Sequence, residues 1–174
     1  MPSLLRIHTL GDYRDAIEAT ADYPEAGTGS HRAQCYLALG LHSEVGAIAE
    51  QYRRALRKDH GVLTVSRLAR IKDSMSSVLW YITRSVTEHG TKSAGLLWGH
   101  SIAELHPALH ADSPANAWLR VPRVVIQTDF TELHDVQVML RTLGAAAARH
   151  GWTIQDLGWH GIAKAAHTLQ GATA

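Results

Sequence analysis

From Tyr36 to Glu50 the chain reads YLALGLHSEVGAIAE, and this run restricts the fold more than any other part of the sequence. Leu37, Leu41, Val45, Ile48 and then Tyr52 recur at spacings of three and four, which predicts a helix with one apolar face. Glu44 falls inside that stripe. A carboxylate on the inward side of a packed helix is costly unless it is paired, protonated or metal-bound. Gly46 and Ala47 are small enough for a second helix to come close. The run IKDSMSSVLWYI, from Ile71 to Ile82, supplies the expected partner helix.

At 174 residues the chain can bury a proper core as a single domain spanning 1–174. It has one Phe against five Trp and five Tyr, so aliphatic residues and alanine must fill much of the interior. The formal net charge of +1 exerts no global pull toward nucleic acid, and nucleic acid is not an expected partner. No apolar run approaches the length of a membrane span, no signal peptide is evident, and the lone Cys35 fits a reducing compartment. The expectation is a cytoplasmic protein with no membrane partner. Cys35 is read as a small core residue.

Helices are expected over 10–22, 31–58, from Thr64 or Ser66 to about Glu88, 93–110, 130–149 and 153–169. The breaks are Asp22-Tyr23-Pro24, Asp59-His60-Gly61, His89-Gly90, Asp112-Ser113-Pro114 and His150-Gly151. Leu119 to Ile126 is the most strand-like segment, and Pro122 restricts it to an extended arm or edge ribbon. The fold class is therefore all-α, an antiparallel helical bundle with a short extended segment near 119–126.

Two motifs carry a resemblance. Gly40-Leu41-His42-Ser43-Glu44-Val45-Gly46-Ala47 resembles the first signature of the MazG-like all-α NTP pyrophosphohydrolases, roughly GL-x-x-E-x-G-E, with Ala47 at the second glutamate. Ser74-Met75-Ser76-Ser77-Val78-Leu79-Trp80-Tyr81 resembles the apolar half of the second signature, E-L-G-D-V-L-W-Y, with Ser74 and Ser77 at the acidic positions. The likeness covers about residues 9–90. Residues 91–174 read as a diverged helical half, with a degenerate repeat as one alternative, since His-Gly pairs close helices at both 89–90 and 150–151.

The resemblance implies a homodimer and a cleft in which four carboxylates on two packed helices hold Mg²⁺. Of those four positions only Glu44 keeps its acid here. The standard Mg²⁺-dependent hydrolysis is therefore expected to be lost, and no cofactor is expected. The cleft would bind or transform a nucleotide-like or other small molecule instead. Catalytic candidates are Glu44, His42 and Asp73. The space left by Ala47, Ser74 and Ser77, with Trp80 and Tyr81, would bind the ligand, and Arg57 and Lys58 would meet a phosphate. Two alternatives stand. In one, Glu132 and Asp135 join Glu44 to rebuild a Mg²⁺ site, and the protein cleaves NTP to NMP and pyrophosphate. In the other, the chain is a non-catalytic helical interaction module. Whether it is an enzyme at all stays open at this level.

Overall fold

The computed structural model describes residues 7–90, 94–105, 122 and 129–171. Its elements are α1 (Leu10–Ile17) continued by a 3-10 turn (Glu18–Thr20), α2 (His31–Lys58), α3 (Val65–His89), α4 (Ala94–Trp98), a second 3-10 turn (Ile102–Leu105), α5 (Leu133–Ala148) and α6 (Ile154–Gly171). The described residues are all-α. They contain no strand, and Thr9 and Ser101 form an isolated antiparallel bridge. No helix among them is long and apolar enough to cross a membrane.

Local chemistry sets the helix ends. Thr9 and Asp12 form a reciprocal capping box on α1, Ser30 accepts from the Ala33 amide at 3.2 Å, and Thr64 accepts from the Arg67 amide at 3.4 Å. Gly90 ends α3 in the left-handed region, φ 58°, where a side chain would be strained.

The α3 helix is the hub. It packs along α2 most extensively and also meets α1, α5 and α6. Its Ile71, Met75, Val78, Leu79, Ile82 and Val86 are buried against Leu41, Val45 and Ile48 of α2, Tyr13 and Ile17 of α1, and Leu140, Leu143 and Leu157 of the last two helices. Each such aliphatic side chain contributes about 1.5–3 kcal/mol on leaving water. A smaller cluster of Tyr23, Ala33 and Leu37 seats the segment before α2.

Several expectations change. The helix expected over 93–110 stops at Trp98. The backbone then turns to bond the start of α1, Leu10 N–H to His100 O at 3.2 Å and Ile102 N–H to His8 O at 2.9 Å. The helix expected from 130 starts at Leu133, because Asp129 accepts from both the amide and hydroxyl of Thr131 and holds that segment in a turn. Cys35 is exposed on α2 and is not a core residue, since the buried stripe passes through Ala33 and Leu37. The extended segment near 119–126 lies outside the described residues, apart from Pro122, which is helical.

One cross-link between distant elements has a pH signature. The Tyr52 hydroxyl on α2 lies 2.6 Å from Nε2 of His150, in the turn before α6, and Trp152 packs on the same imidazole. Burial holds the His150 imidazole below its ordinary value of 6.5 and pushes the Tyr52 phenol up to about 12. The folded state thus prefers neutral His150, so the unfolded chain binds the extra proton first as pH falls. The resulting stability is fully present above 6.5 and is lost below it. Urea midpoints measured from pH 8 to pH 5 are expected to fall less steeply for His150→Gln than for the unmodified protein. Equal slopes would count against this account.

Candidate functional site

A cleft of about 480 Å³ opens where α2, α3, α6 and the turn after α1 meet. The α1 turn contributes Ala19, Thr20 and Asp22. From α2 comes Glu44, from α3 Ser76, Ser77, Trp80 and Tyr81, and from α6 Gly161, Lys164 and Ala165. The α3 residues share one face because they follow the helical period, and Glu44 interrupts the apolar stripe of α2 on the side that faces them.

The aromatic wall is braced. Trp80 donates its indole N–H to Thr20 Oγ1 at 2.8 Å, and Thr20 donates in turn to the Ile17 carbonyl at 2.6 Å. Tyr81 stands perpendicular to Trp80, with ring centroids 5.0 Å apart. Tyr23 meets Trp80 edge-on at 6.0 Å and stacks on Tyr36 at 5.5 Å. Burial raises the Tyr81 phenol, and Tyr36 and the Glu44 charge add to the effect. Gly40 is what lets α2 approach: a Cβ there would lie 2.3 Å from the Tyr81 ring.

Behind this wall lies a charged network that sequence reading did not foresee. Arg84 is fully buried. Its guanidinium pairs with Glu18, donates to the Tyr23 hydroxyl from two nitrogens at 3.1 Å each, and lies 3.8 Å from Glu88. Glu88 accepts from the Tyr23 hydroxyl at 2.5 Å and from the amides of Gly27 and Gly29 at 2.6 and 2.8 Å. Burial works to raise the Glu88 carboxyl, but those hydrogen bonds and the Arg84 charge outweigh it and hold the group below its ordinary value. A signal was available. Ser77, Trp80 or Tyr81, Arg84 and Glu88 follow at helical spacing, so the charged pair extends the face that carries the cleft residues.

The structure thus brings Glu44, Ser77, Trp80 and Tyr81 together, with Lys164 from the last helix. Other expected site residues fall elsewhere. Ala47 is exposed and Ser74 half-buried, and neither lines the cleft. His42 is exposed, its Nδ1 2.8 Å from the Ala38 carbonyl oxygen of its own helix. Asp73 faces α6 and lies 2.6 Å from His160 Nε2. Arg57 and Lys58 are exposed in the last turn of α2, about 20 Å along the helix axis from Glu44. Glu50, a nearby carboxylate, is held down to about 2 by hydrogen bonds from Arg53 and Arg54. Glu132 and Asp135 sit at the start of α5, where Asp135 accepts from the Asp129 amide at 3.2 Å, and they do not line the cleft with Glu44.

The Mg²⁺ cage implied by the resemblance does not fit this donor set. Position 47 has no side-chain oxygen, position 74 stands outside the lining, and the Ser77 hydroxyl donates to the Asp73 carbonyl at 3.2 Å. Among the described residues no group of three His, Cys, Asp or Glu is placed to share an ion. Asp22, which the sequence analysis did not single out, is the second carboxylate of the lining.

No protein-family model matches the chain. No solved structure matches it. Among curated proteins it is similar to the "Gene 37 protein" of Mycobacterium phage L5, at 33% identity over 73 residues, a span of 41% of this chain and 64% of that protein.

Proposed function

We propose that this chain is a repurposed MazG-like helical protein whose cleft binds a small ring-bearing ligand, nucleotide-like or of similar size, without a four-carboxylate magnesium cage. What carries the reading is the convergence of residues from separated stretches. Glu44 of the first motif and Ser77, Trp80 and Tyr81 of the second line one cleft, closed by Lys164. The volume of about 480 Å³ suits a ligand of nucleoside size. Trp80 and Tyr81 offer π-surface, and a half-buried Glu44 offers an acceptor or a base. As in the family it resembles, a second copy is the proposed protein partner.

A second reading has one observation in its favour. Asp22 joins Glu44 on the lining, and Mg²⁺ is commonly held by one or two carboxylates together with substrate phosphates. That reading makes the protein an active NTP pyrophosphohydrolase. Tryptophan fluorescence and calorimetry with nucleosides, nucleotides and uncharged aromatic rings, with and without Mg²⁺, distinguish the two when pyrophosphate release is assayed in parallel. We expect metal-independent binding that Trp80→Ala weakens about tenfold or more, in a variant whose helical circular dichroism is unchanged. Turnover that requires Mg²⁺ would select the second reading, and the absence of any cleft ligand would sink the first.

A further inference from the structure

We propose that the cleft selects an organic cation, a ring carrying a protonated amine, rather than a phosphorylated nucleotide; this rests on the reading of the cleft as a binding site. The charge of its lining comes first. Asp22 and Glu44 supply two carboxylates against the single ammonium of Lys164. The network behind the wall adds Glu18 and Glu88 against Arg84. A phosphate carries up to two negative charges and would meet this acidic excess in a partly desolvated cleft, where like charges repel more strongly than in water. A cation meets it favourably.

The aromatic wall favours the same sign. Trp80 is held by its bond to Thr20 at 2.8 Å, and Tyr81 stands perpendicular beside it. Fixed indole and phenol rings attract a cation through their quadrupoles, indole most strongly. A fixed ring also loses no further rotamer freedom when the ligand arrives.

The floor provides an independent observation. Ser76 lines the cleft at 1% exposure, and its hydroxyl has no hydrogen-bond partner among the described residues. Ser77, Thr83 and Thr87 each donate to the carbonyl four residues earlier, at 3.2, 2.9 and 3.0 Å. Ser76 forgoes that local bond. A buried hydroxyl without a partner is unfavourable, and it marks an unmet polar demand beneath the cleft; as both donor and acceptor it does not by itself select the ligand's charge. The carboxylates of Asp22 and Glu44 are acceptors only, and they make the polar lining rich in acceptors. A donor-rich ammonium or protonated ring complements it.

The test uses three probes that share an indole ring: tryptamine (cationic), 3-methylindole (neutral) and indole-3-acetate (anionic). Each is titrated calorimetrically into the full chain and into Glu44→Gln, Asp22→Asn and Ser76→Ala. Tryptamine is expected to bind tightest and indole-3-acetate weakest. Glu44→Gln is expected to weaken tryptamine about tenfold and 3-methylindole less than about twofold. Indole-3-acetate binding as tightly as tryptamine, or carboxylate variants without effect on tryptamine, would overturn the proposal while leaving the cleft a binding site. Nucleotides binding where no indole does would also overturn it. If neither indoles nor nucleosides bind, the underlying reading of the cleft fails as well.

Discussion

Arg84→Ala is expected to lower unfolding free energy by about 3–5 kcal/mol, enough to cancel a large share of a domain's stability. The guanidinium is fully buried and ties three segments together: Glu18 after α1, Tyr23 in the following loop, and Glu88 one turn along α3. Removing it leaves the Glu88 carboxylate buried with a phenol and two amides but no cation. That carboxylate anchors the loop through Gly27 and Gly29, both at positive φ, of 79° and 67°. Gly29 is doubly constrained, because a Cβ there would lie 2.9 Å from the Glu88 carbonyl oxygen. Arg84→Lys keeps a charge but cannot reach Glu18 and Tyr23 with one planar fork, so its loss should approach that of alanine. Glu18→Ala is the contrast. Its side chain is 62% exposed, and its loss should cost less than about 1 kcal/mol. Urea unfolding of the three variants provides the measurement. A loss below about 1 kcal/mol for Arg84→Ala would mean that the network is ornamental.

Gly40→Ala is the second large effect, and its sign is contested by two forces. Alanine favours a helix over glycine by about 0.8–1 kcal/mol. Against that, the new methyl would stand 2.3 Å from Cε1 and Cζ of Tyr81, where carbon atoms prefer about 3.5–4.0 Å. The ring is packed beside Trp80 and cannot simply swing aside. Overpacking of this kind costs about 1–3 kcal/mol, so sterics should win and the variant should be less stable. Because Tyr81 lines the cleft, ligand binding should weaken too. Gly46 on the same helix is the control: a Cβ there meets nothing within 4 Å, so Gly46→Ala should be neutral or stabilising. A double-mutant cycle of Gly40→Ala with Tyr81→Ala isolates the clash, since the second change removes the obstructing ring. The expected coupling is favourable and above about 1 kcal/mol. An additive cycle would place the effect somewhere other than this contact.

The legible features were those decided within a few residues of chain. The stripe through Leu37, Leu41, Val45 and Ile48 placed α2, and all of these are buried. Thr64 was readable as a cap and Gly90 as a stop, because a cap bonds an amide three residues on and a left-handed C-terminus needs a glycine. The pairing of the stretches around Glu44 and Ser77 was readable from their apolar faces, and both residues line one cleft; Gly46 and Ala47, the small residues expected to admit the second helix, are instead exposed, and Gly40 is the one that meets Tyr81.

Finer placements were less legible, because a helix turns about 100° per residue and small rotations reassign its neighbours. Asp73, expected in the site, instead reaches His160 on α6, while Ser76, passed over, lies in the cleft floor. Likewise Cys35 is exposed two residues from the buried Ala33 and Leu37 on either side.

Sequence alone decided the helical class and the hairpin of α2 and α3, since periodicity and capping act locally. Tertiary structure decided that Arg84 is buried, that Gly40 makes room for Tyr81, and that Asp22 and Lys164 join Glu44. Those outcomes depend on partners tens of residues away, and a one-dimensional pattern does not encode which solvent-facing group another helix will cover.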